Sequence, residues 1–295
     1  MNSRALIKKL EESLDNISSI TRVFEHSAAK KMDVNREEMA KLFNYVSEAR
    51  ETYSYTKVAA TAKHKKNQQA MLAAAYRIPK KKKILILVTS ESKYWGNLIN
   101  SLVSLFISEF NQGSADGIVV GEVGKNLLSK QGFGAQNVIY FDFNDDKPDW
   151  GVIAKVNEQI TDYAEIIIFY GQYKSILTQE IKREDISKSV FVQNIPSIKK
   201  YEFEPSGNSA LGLLEKQIIA SSFLQKLYET GLTKNAVTVK VLEIGVIAER
   251  INAAFLQIAK YKLRLNKDTN NRKQTQLFGS RDLWQKGGIF TVGRK

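Results

Sequence analysis

Few residues in this chain have the types and spacing that catalysis or metal binding needs. The sequence contains no cysteine and only two histidines, His26 and His64. Thiolate metal sites are therefore excluded, and so are most histidine-based metal sites and catalytic triads. Asp145 and Asp146 form a carboxylate pair, but the proline that follows soon after them is typical of a solvated loop. We therefore predict no catalytic residue and no metal site.

The glycines were tested against the two common phosphate-binding motifs. A P-loop needs serine or threonine after its Gly-Lys pair, but Gly124 and Lys125 are followed by asparagine. A dinucleotide fingerprint needs a third glycine three residues after the second. Gly132 and Gly134 are followed by Asn137 at that position. The sequence therefore predicts that the chain itself binds no nucleotide and no other cofactor.

The clearest pattern in the sequence is a heptad-like recurrence of apolar residues near the N-terminus. The recurring positions are Leu6, Leu10, Leu14, Ile17, Ile20, Phe24 and Ala28, then Met39, Leu42, Val46, Ala49 and Tyr53. Their steps of three and four average close to the coiled-coil period of 3.5 residues. No proline or glycine occurs before Pro79 and Gly96. The pattern predicts one long helix from about residue 3 to residue 57.

A second stripe of the same kind lies near the C-terminus. Its members are Val237, Val241, Ile244, Ala248, Ile251, Phe255 and Ile258. A preceding helix is predicted to start at residues 207–209, where glycine, asparagine and serine form a start signal. One such stripe is equally typical of the buried face of a bundle helix. Two long stripes at opposite ends of the chain favour a pair of helices wound together as an antiparallel coiled coil.

Short apolar runs alternate with helical patterns in the middle of the chain. Strands are predicted at 83–89, 117–121, 137–143 and 165–170, with helices between them, and Phe191 and Val192 are read as an edge strand. This alternation predicts a mostly parallel sheet. The fold class is α/β, a Rossmann-like domain inserted between two coiled-coil helices. The predicted divisions are a helix at 1–60, a basic linker at 61–83, the α/β domain at 84–200 and the C-terminal helix with a basic tip at 201–295.

The net charge of +13 is concentrated in two places. Residues 61–83 carry 8 basic and no acidic side chains, and residues 261–295 carry 9 basic and 2 acidic ones. No nucleic-acid motif and no stacking platform of alternating aromatic and basic residues accompanies them. We interpret the first block as a solvated linker and the second as a surface that docks on acidic protein. No nucleic-acid partner is predicted.

Membrane insertion is not predicted from the sequence. No apolar run approaches the length of about 18 residues that a spanning helix requires. The first residues lack the apolar core of a secretory signal. We therefore expect an intracellular protein.

Five segments, in order along the chain, resemble the gamma subunit of F-type ATP synthases. They are residues 19–32, 84–100, 119–133, 168–180 and 201–229. Each segment alone is weakly specific, but their order, spacing and total length together fit that family. The likeness covers nearly the whole chain and thins toward the end. Two departures stand out: Tyr94 and Trp95 precede the turn that in the family is Gly-Gly-Leu-Asn, and the C-terminal tip is basic rather than small and apolar.

The resemblance implies a function for the predicted coiled coil. Such a chain is the central rotor shaft inside a ring of three alpha and three beta subunits. It couples rotation to ATP synthesis or hydrolysis on the beta subunits and to proton translocation in the membrane. The α/β domain and the lower coil would face the epsilon subunit and the membrane rotor ring. The implied location is cytoplasmic, at the inner face of the cell membrane as a peripheral part of a complex.

The same resemblance suggests which residues contact the ring. The upper shaft would use residues 3–30 and 250–285 together. The candidate contacts are Lys8, Lys9, Arg22, Lys262, Arg264, Lys267, Arg272 and Lys273 toward acidic loops, with Trp284 and Phe290 at an apolar tip. For each basic residue, a solvated flank of the coil is an equally good reading, and for the tip a frayed tail is the alternative.

Two other functions remain open at this point. The chain could be the shaft of a specialised ATPase of the same kind that performs mechanical work without ion transport. It could also be a free-standing coiled-coil scaffold with an α/β knob. Co-purified membrane subunits would distinguish the first, and stable expression without ring subunits would indicate the second.

Overall fold

The structure is a computed structural model that describes residues 3–63, 81–91, 96–133, 137–144, 149–190 and 207–287. Its helices are α1 (Ser3–Lys63), α2 (Leu98–Asn111), α3 (Glu122–Lys130), α4 (Trp150–Ile160) and α5 (Gly207–Gly287), with a 3-10 turn at Ser187–Val190. Its strands are β1 (Lys81–Val88), β2 (Asp116–Val120), β3 (Val138–Phe141), β4 (Tyr163–Tyr173) and β5 (Gln179–Asp185). The chain divides into a terminal unit, residues 1–24 with 242–295, and a sheet unit, residues 25–241.

The five strands form one sheet in the order β3-β2-β1-β4-β5. The pairs β1–β2, β1–β4 and β2–β3 are parallel, and only β4–β5 is antiparallel. The prediction of a mostly parallel α/β sheet is therefore confirmed. Strand β5 was missed because its sequence is almost entirely charged or polar and shows no apolar alternation. The edge strand predicted at Phe191 and Val192 lies outside the described residues.

Both faces of the sheet are buried, which explains why β1 reads as an unbroken apolar run. One face presents Ile84, Ile86 and Val88 of β1 to a core that α1, α4 and α5 complete. The other face presents Leu85 and Leu87 to α2 and α3. Successive residues of the strand therefore serve opposite cores, as the two-residue period of a strand requires. The sheet unit holds the main hydrophobic core of the molecule.

The start of α3 lies against the end of β1. Thr89 Oγ1 donates to the carbonyl oxygen of Val120 at 2.8 Å and accepts from the amide of Gly124 at 3.1 Å. Gly121 has a φ of 101°, and a Cβ there would lie 2.7 Å from Thr89 Oγ1. A side chain at this position would combine backbone strain with a steric clash. Glycine is therefore required for the close approach of helix and strand.

A charged cluster links three elements at the rim of the sheet unit. Glu109 of α2 accepts from Lys83 of β1 at 2.9 Å and from Nε and Nη2 of Arg183 in β5 at 2.6 and 2.7 Å. Hydrogen bonds from Arg183, opposed by burial and assisted by Lys83, lower the pKa of Glu109 to about 2. The carboxylate thus holds the charged edge strand β5 against the helix layer.

The long terminal helices that the sequence predicts are confirmed as elements. Helix α5 begins at Gly207, within the predicted start signal, and continues through Gly231 and Thr233 without interruption. In the sheet unit the predicted N-terminal stripe is buried: Val46, Ala49 and Tyr53 all belong to the core. Among the described helices, none combines the length and apolar character needed to cross a membrane.

Candidate functional site

Helices α1 and α5 contact each other within the terminal unit through polar side chains. Lys260 donates to the carboxylate of Glu11, and Thr21 Oγ1 donates to Glu249 Oε1 at 3.3 Å. From Glu11 to Thr21 along α1 the partner on α5 moves back from Lys260 to Glu249, so the two helices run antiparallel here. The second oxygen of Glu249 is buried and has no hydrogen-bond partner. This contact line therefore contains partly buried polar groups and one unsatisfied carboxylate oxygen.

Of the inner positions of α1 in this unit, only Leu14 belongs to the predicted apolar stripe. The less exposed positions are Ile7, Glu11, Leu14, Ser18 and Thr21, spaced by four and three residues. The heptad period is thus present, but three of its five positions are polar. Reading the period from apolar residues alone selected the wrong set, because the polar members carry the same rhythm.

Most of the predicted stripe residues in the terminal unit are exposed, and this part of the prediction is wrong. Leu10 is 45% exposed, Ile251 is 52% exposed and Phe255 is 65% exposed. We call the large exposed apolar residues of this unit between positions 6 and 24 on α1 and between positions 244 and 261 on α5 the outer stripes. They are Leu6, Leu10, Ile17, Ile20, Val23 and Phe24 on α1, and Ile244, Ile247, Ile251, Phe255, Ile258 and Tyr261 on α5.

The outer stripes are what a partner surface would be expected to cover. Isolated exposed apolar residues are ordinary, but a contiguous apolar patch usually marks an interaction site. On α5 the steps between successive members, three, four, four, three and three, keep them on one side of the helix. Most of these residues belong to the predicted stripes, but the prediction placed them between the two helices. The sequence does carry a sign of the exposed surface, because the two helices have more recurring apolar positions than a single contact between them can bury.

The basic contact candidates of the sequence analysis surround these stripes. Lys8, Lys9 and Arg22 on α1 are exposed, as are Lys262, Arg264, Lys267, Arg272 and Lys273 on α5. Lys8 lies 3.8 Å from Glu12, four residues along the same helix, and both side chains are open to solvent. The side chain of Trp284 and the whole of Phe290 lie outside the described residues. The assignment of all these residues as subunit contacts stays a prediction.

A second polar arrangement, in the sheet unit, joins the sheet to α5 around Lys226. Lys226 Nζ lies 3.0 Å from Glu184 Oε2, 3.0 Å from Tyr170 Oη and 3.3 Å from Glu229 Oε2. Tyr170 donates to Glu184 at 2.7 Å, and the ammonium also lies 4.6 Å from the centre of the Tyr170 ring. The three ammonium protons of Lys226 therefore have three acceptors, which a buried charge needs.

The groups around Lys226 respond to burial in opposite directions. Burial raises the pKa of Glu229, although Lys226 opposes the effect. Burial also acts on Glu184, but hydrogen bonds from Tyr170 and Lys226 hold its pKa below the ordinary value. Burial lowers the pKa of Arg50 on α1, and its Nε has no hydrogen-bond partner. The cluster is a structural ion network, and nothing in its geometry presents a nucleophile beside a base.

Comparison with known proteins identifies a family and chains of similar fold. A family model described as ATP synthase matches residues 3–241. A chain in the mitochondrial ATP synthase central stalk and c-ring structure of Tetrahymena thermophila is 18% identical, with a TM-score of 0.53, and covers 77% of this chain and 99% of its own length. At this identity the likeness supports the fold. A search of curated proteins finds no match.

Two chains from the mitochondrial ATP synthase of Euglena gracilis are also similar. One, in the rotor structure, is 16% identical with a TM-score of 0.49 and covers 93% of this chain and 99% of its own length. The other, in the OSCP/F1/c-ring structure, is 17% identical with a TM-score of 0.49 and covers 99% of this chain and 98% of its own length.

Proposed function

This chain belongs to the gamma-subunit family of F-type ATP synthases, and we propose that its terminal unit turns as a shaft inside a ring of alpha and beta subunits. The family match extends over residues 3–241, well over half of the sequence. The central-shaft role follows from that membership. The identity of the surrounding subunits and the work done by rotation are the parts that we propose.

The observation that carries the proposal is the exposure of the outer stripes. Burying one large aliphatic or aromatic side chain contributes about 1.5–3 kcal/mol relative to leaving it in water. Phe255 and Ile251 are more than half exposed, and the other members of the stripes are similar. A surrounding sleeve of protein would cover the stripes on both helices.

The proposed mechanism is mechanical and places catalysis on other chains. The stripes lie on particular sides of their helices, so the surface that this unit presents is not symmetric around its length. Rotation of such a surface offers each catalytic subunit a different contact in turn. Contacts that differ between subunit conformations shift the nucleotide affinity of each subunit, which is allosteric coupling. The two helices would act as an antiparallel coiled coil stiff enough to transmit this motion.

Basic residues beside the stripes would meet acidic loops of the ring. Lys8, Lys9 and Arg22 would do so from α1, and Lys262, Arg264, Lys267, Arg272 and Lys273 from α5. Exposed ion pairs contribute only about 0–1 kcal/mol each, so these residues would act as a set. Trp284 and Phe290 would lie at an apolar bearing at the end of the shaft.

The remaining assignments concern the sheet unit and the location of the complex. Residues 84–200 would form a domain at the side of the shaft, between the helices of residues 1–60 and 201–295, with a basic linker at 61–83. This domain would face the epsilon subunit and the membrane rotor ring. Rotation would thereby be coupled to proton translocation, and the complex would lie at the inner face of the cell membrane.

Purification of the tagged chain from its own host tests the proposal directly. Mass spectrometry should identify hexamer-forming ATPase subunits in a fixed ratio to this chain. Recovery of membrane rotor subunits in the same complex supports ion transport, and their consistent absence supports a motor that does other mechanical work. A tagged chain that is folded but recovered without any ATPase subunit would overturn the shaft assignment.

A pair of phenylalanine variants sharpens this experiment. Phe255→Asp places a charge in an outer stripe and should strongly reduce the recovery of ring subunits. Phe43→Asp is the matched control, because Phe43 is 63% exposed on α1 but belongs to the sheet unit. Equal losses in the two variants would contradict the proposal that the ring encloses the terminal unit.

A further inference from the structure

The β4–β5 hairpin contacts the two terminal helices through a row of directional polar interactions. On α5, Lys226 donates to Glu184 of β5. Thr233 Oγ1 lies 2.9 Å from the carbonyl oxygen of Gly171 in β4 and 2.9 Å from that of Glu229 in its own helix, so its one proton is shared between them. Further along, Lys240 Nζ donates to the carbonyl oxygen of Leu177 at 3.0 Å, in the hairpin turn. Three positions of one helix thus reach three successive levels of the hairpin.

These three helix positions are spaced by seven residues. A seven-residue step is close to two helical turns, so Lys226, Thr233 and Lys240 follow one line along α5. The line faces the hairpin, while Leu232, Ala236 and Val239 pack with Ala28 and Met32 of α1. The helix therefore meets α1 mainly with apolar residues and the hairpin mainly with polar ones, and Tyr173 of β4 also packs against the apolar group.

Along α5 the contact with the sheet changes from mostly apolar to mostly polar near Leu227. Ile218, Ile219, Phe223 and Leu227 belong to the core on one face of the sheet. Lys226 lies beside the last of these residues, and Thr233 and Lys240 lie beyond them. Apolar packing is not directional and tolerates small slides and rotations, whereas a hydrogen bond weakens steeply when its angle is lost. The polar line is therefore suited to fix the position of α5 relative to the β4–β5 hairpin.

The first helix takes part from the other side of the hairpin. Arg36 Nη2 donates to Tyr173 Oη at 2.9 Å, and its guanidinium lies 5.5 Å from the centre of that ring. Asn35 lies so close to Gly231 that a Cβ on the glycine would be 2.8 Å from Asn35 Nδ2. The hairpin is thus tied to both helices, and its contact with α1 lies next to the close approach of Asn35 to Gly231.

We propose that Lys226, Thr233 and Lys240 form a register ladder that fixes the axial and rotational position of α5 against the β4–β5 hairpin. The structural part of this inference stands on the sheet unit alone, and its mechanical meaning rests on the proposed shaft function. The ladder makes the side domain turn rigidly with the helix. The three residues are positioning residues, since none of them contacts a reacting group.

The register can be measured in the full-length chain by distances between spin labels. The sequence contains no cysteine, so engineered cysteines at Lys155 on α4 and Val241 on α5 would be the only labelling sites. Both positions are exposed. The ladder variant combines Thr233→Val with Lys240→Met. These substitutions approximately keep the side-chain size and remove the hydrogen-bond donors.

A matched control removes one hydroxyl group and one ammonium group of α5 that do not belong to the ladder. Thr238→Val and Lys216→Met alter the same helix, and the hydroxyl of Thr238 serves the carbonyl oxygen of Lys234 in that helix. We expect loss of the single narrow distance in the ladder variant and its retention in the control. A ladder variant that keeps the wild-type distance, with an unchanged unfolding midpoint, would overturn the proposal.

Removing the charge of Lys226 requires that its two carboxylate partners be neutralised as well. Lys226→Met alone would leave Glu184 and Glu229 close together without a counter-charge, and buried like charges destabilise the fold. The variant therefore combines Lys226→Met with Glu184→Gln and Glu229→Gln. Its circular dichroism reports folding, and a folded triple variant should shift the label distance further than the ladder variant. A folded triple variant with the wild-type distance counts against the ladder.

A rotation measurement on the native complex separates this proposal from the shaft function. A bead attached at Lys155→Cys reports turns of the side domain while ATP hydrolysis is followed in the same preparation. The ladder variant should hydrolyse ATP but show wider angular fluctuations of the bead around each resting position, and the control should show the wild-type width. The side domain stays covalently joined to α1 and α5, so the ratio of turns to ATP consumed should not change. If the wild-type complex itself does not rotate, the shaft function fails, and the label distances still decide the ladder. A ladder variant with the wild-type angular width would show that the three residues do not hold the side domain rigidly.

Discussion

The same two helices are built differently in the two units of this molecule. In the sheet unit, large residues of α1 and α5 such as Tyr53 and Phe223 are buried beneath the sheet. In the terminal unit, Phe255 of α5 is mostly exposed, and the helices meet through Glu11 and Lys260. Apolar residues thus stabilise the first unit within the chain itself. In the second they are left exposed, as the proposed contact with a surrounding ring requires.

The largest expected effect compares two phenylalanines on one helix. Phe223→Ala removes a fully buried ring and should lower the free energy of unfolding by about 3–5 kcal/mol. Phe255→Ala removes an exposed ring and should change the same free energy by no more than about 0.5 kcal/mol. Urea titration of both full-length variants measures the two values. Similar losses would mean that the terminal unit depends on its outer stripes for its own stability.

Phe255, which is expected to matter little for folding, should matter for assembly with the ring subunits. Phe255→Ala should weaken association of the chain with the ring subunits by about 1–2 kcal/mol, because a covered aromatic anchor contributes strongly to binding. Phe43→Ala, an equally exposed site in the sheet unit, serves as control. Dissociation constants from titration of the purified subunits provide the comparison. If both variants bind as tightly as the wild type, the outer stripes are not the interface.

A smaller effect is expected from Glu109, the carboxylate that links β1, β5 and α2 in the sheet unit. The folded chain holds the pKa of Glu109 at about 2, below its ordinary value of 4.5, so the fold favours the ionised form. This contribution is complete above about pH 4.5 and is lost as the pH falls toward 2. After allowance for solvent screening at Arg183, Glu109→Gln should cost about 1–2 kcal/mol at neutral pH.

The pH dependence is measured by urea titration of wild type and variant at successively lower pH. The stability difference between them should shrink through the acid range, because protonated Glu109 loses the same attraction that glutamine lacks. Glu180→Gln supplies a control, since its pair with Lys174 is about half exposed on both sides. A difference that stays constant with pH would show that the charge of Glu109 is not what stabilises β5.

The smallest effect concerns the polar contact of the terminal unit. Glu11→Gln should cost only about 0–1 kcal/mol, since both partners of the Glu11–Lys260 pair remain substantially exposed. Added salt should reduce the cost further by screening the pair. Hydrogen exchange of the amides in residues 5–20 reports this local stability. A loss as large as that of Glu109→Gln would mean that the terminal unit depends on its ion pairs.

Local patterns in the sequence were sufficient for most of the fold. The apolar run of β1 and the start signal at Gly207 act within a few neighbouring residues, and both elements are found where they were predicted. Strand β5 could not be found in this way, because its place is set by pairing with β4 and by Arg183 reaching Glu109. Its own residues carry no strand pattern.

The sequence predicted only part of the candidate site. The heptad rhythm was correct, but the side that faces the other helix depends on Glu11 meeting Lys260, 249 positions away. Apolar residues such as Leu10 and Ile17 were therefore assigned to an inner seam although they are exposed. The spacing of Lys226, Thr233 and Lys240 could be read from the sequence, but the hairpin that they meet could not.

The burial of α5 beneath the sheet has a consequence for the order in which this protein is made. Ile218, Phe223 and Leu227 complete the core on one face of the sheet, yet they leave the ribosome after every strand has been synthesised. Until then Ile84 and Ile86 have no final cover on that face, and contacts between such distant residues form slowly. The nascent chain should therefore be most dependent on chaperones just before its last third emerges, and truncation before residue 218 should yield aggregated protein instead of a smaller soluble domain.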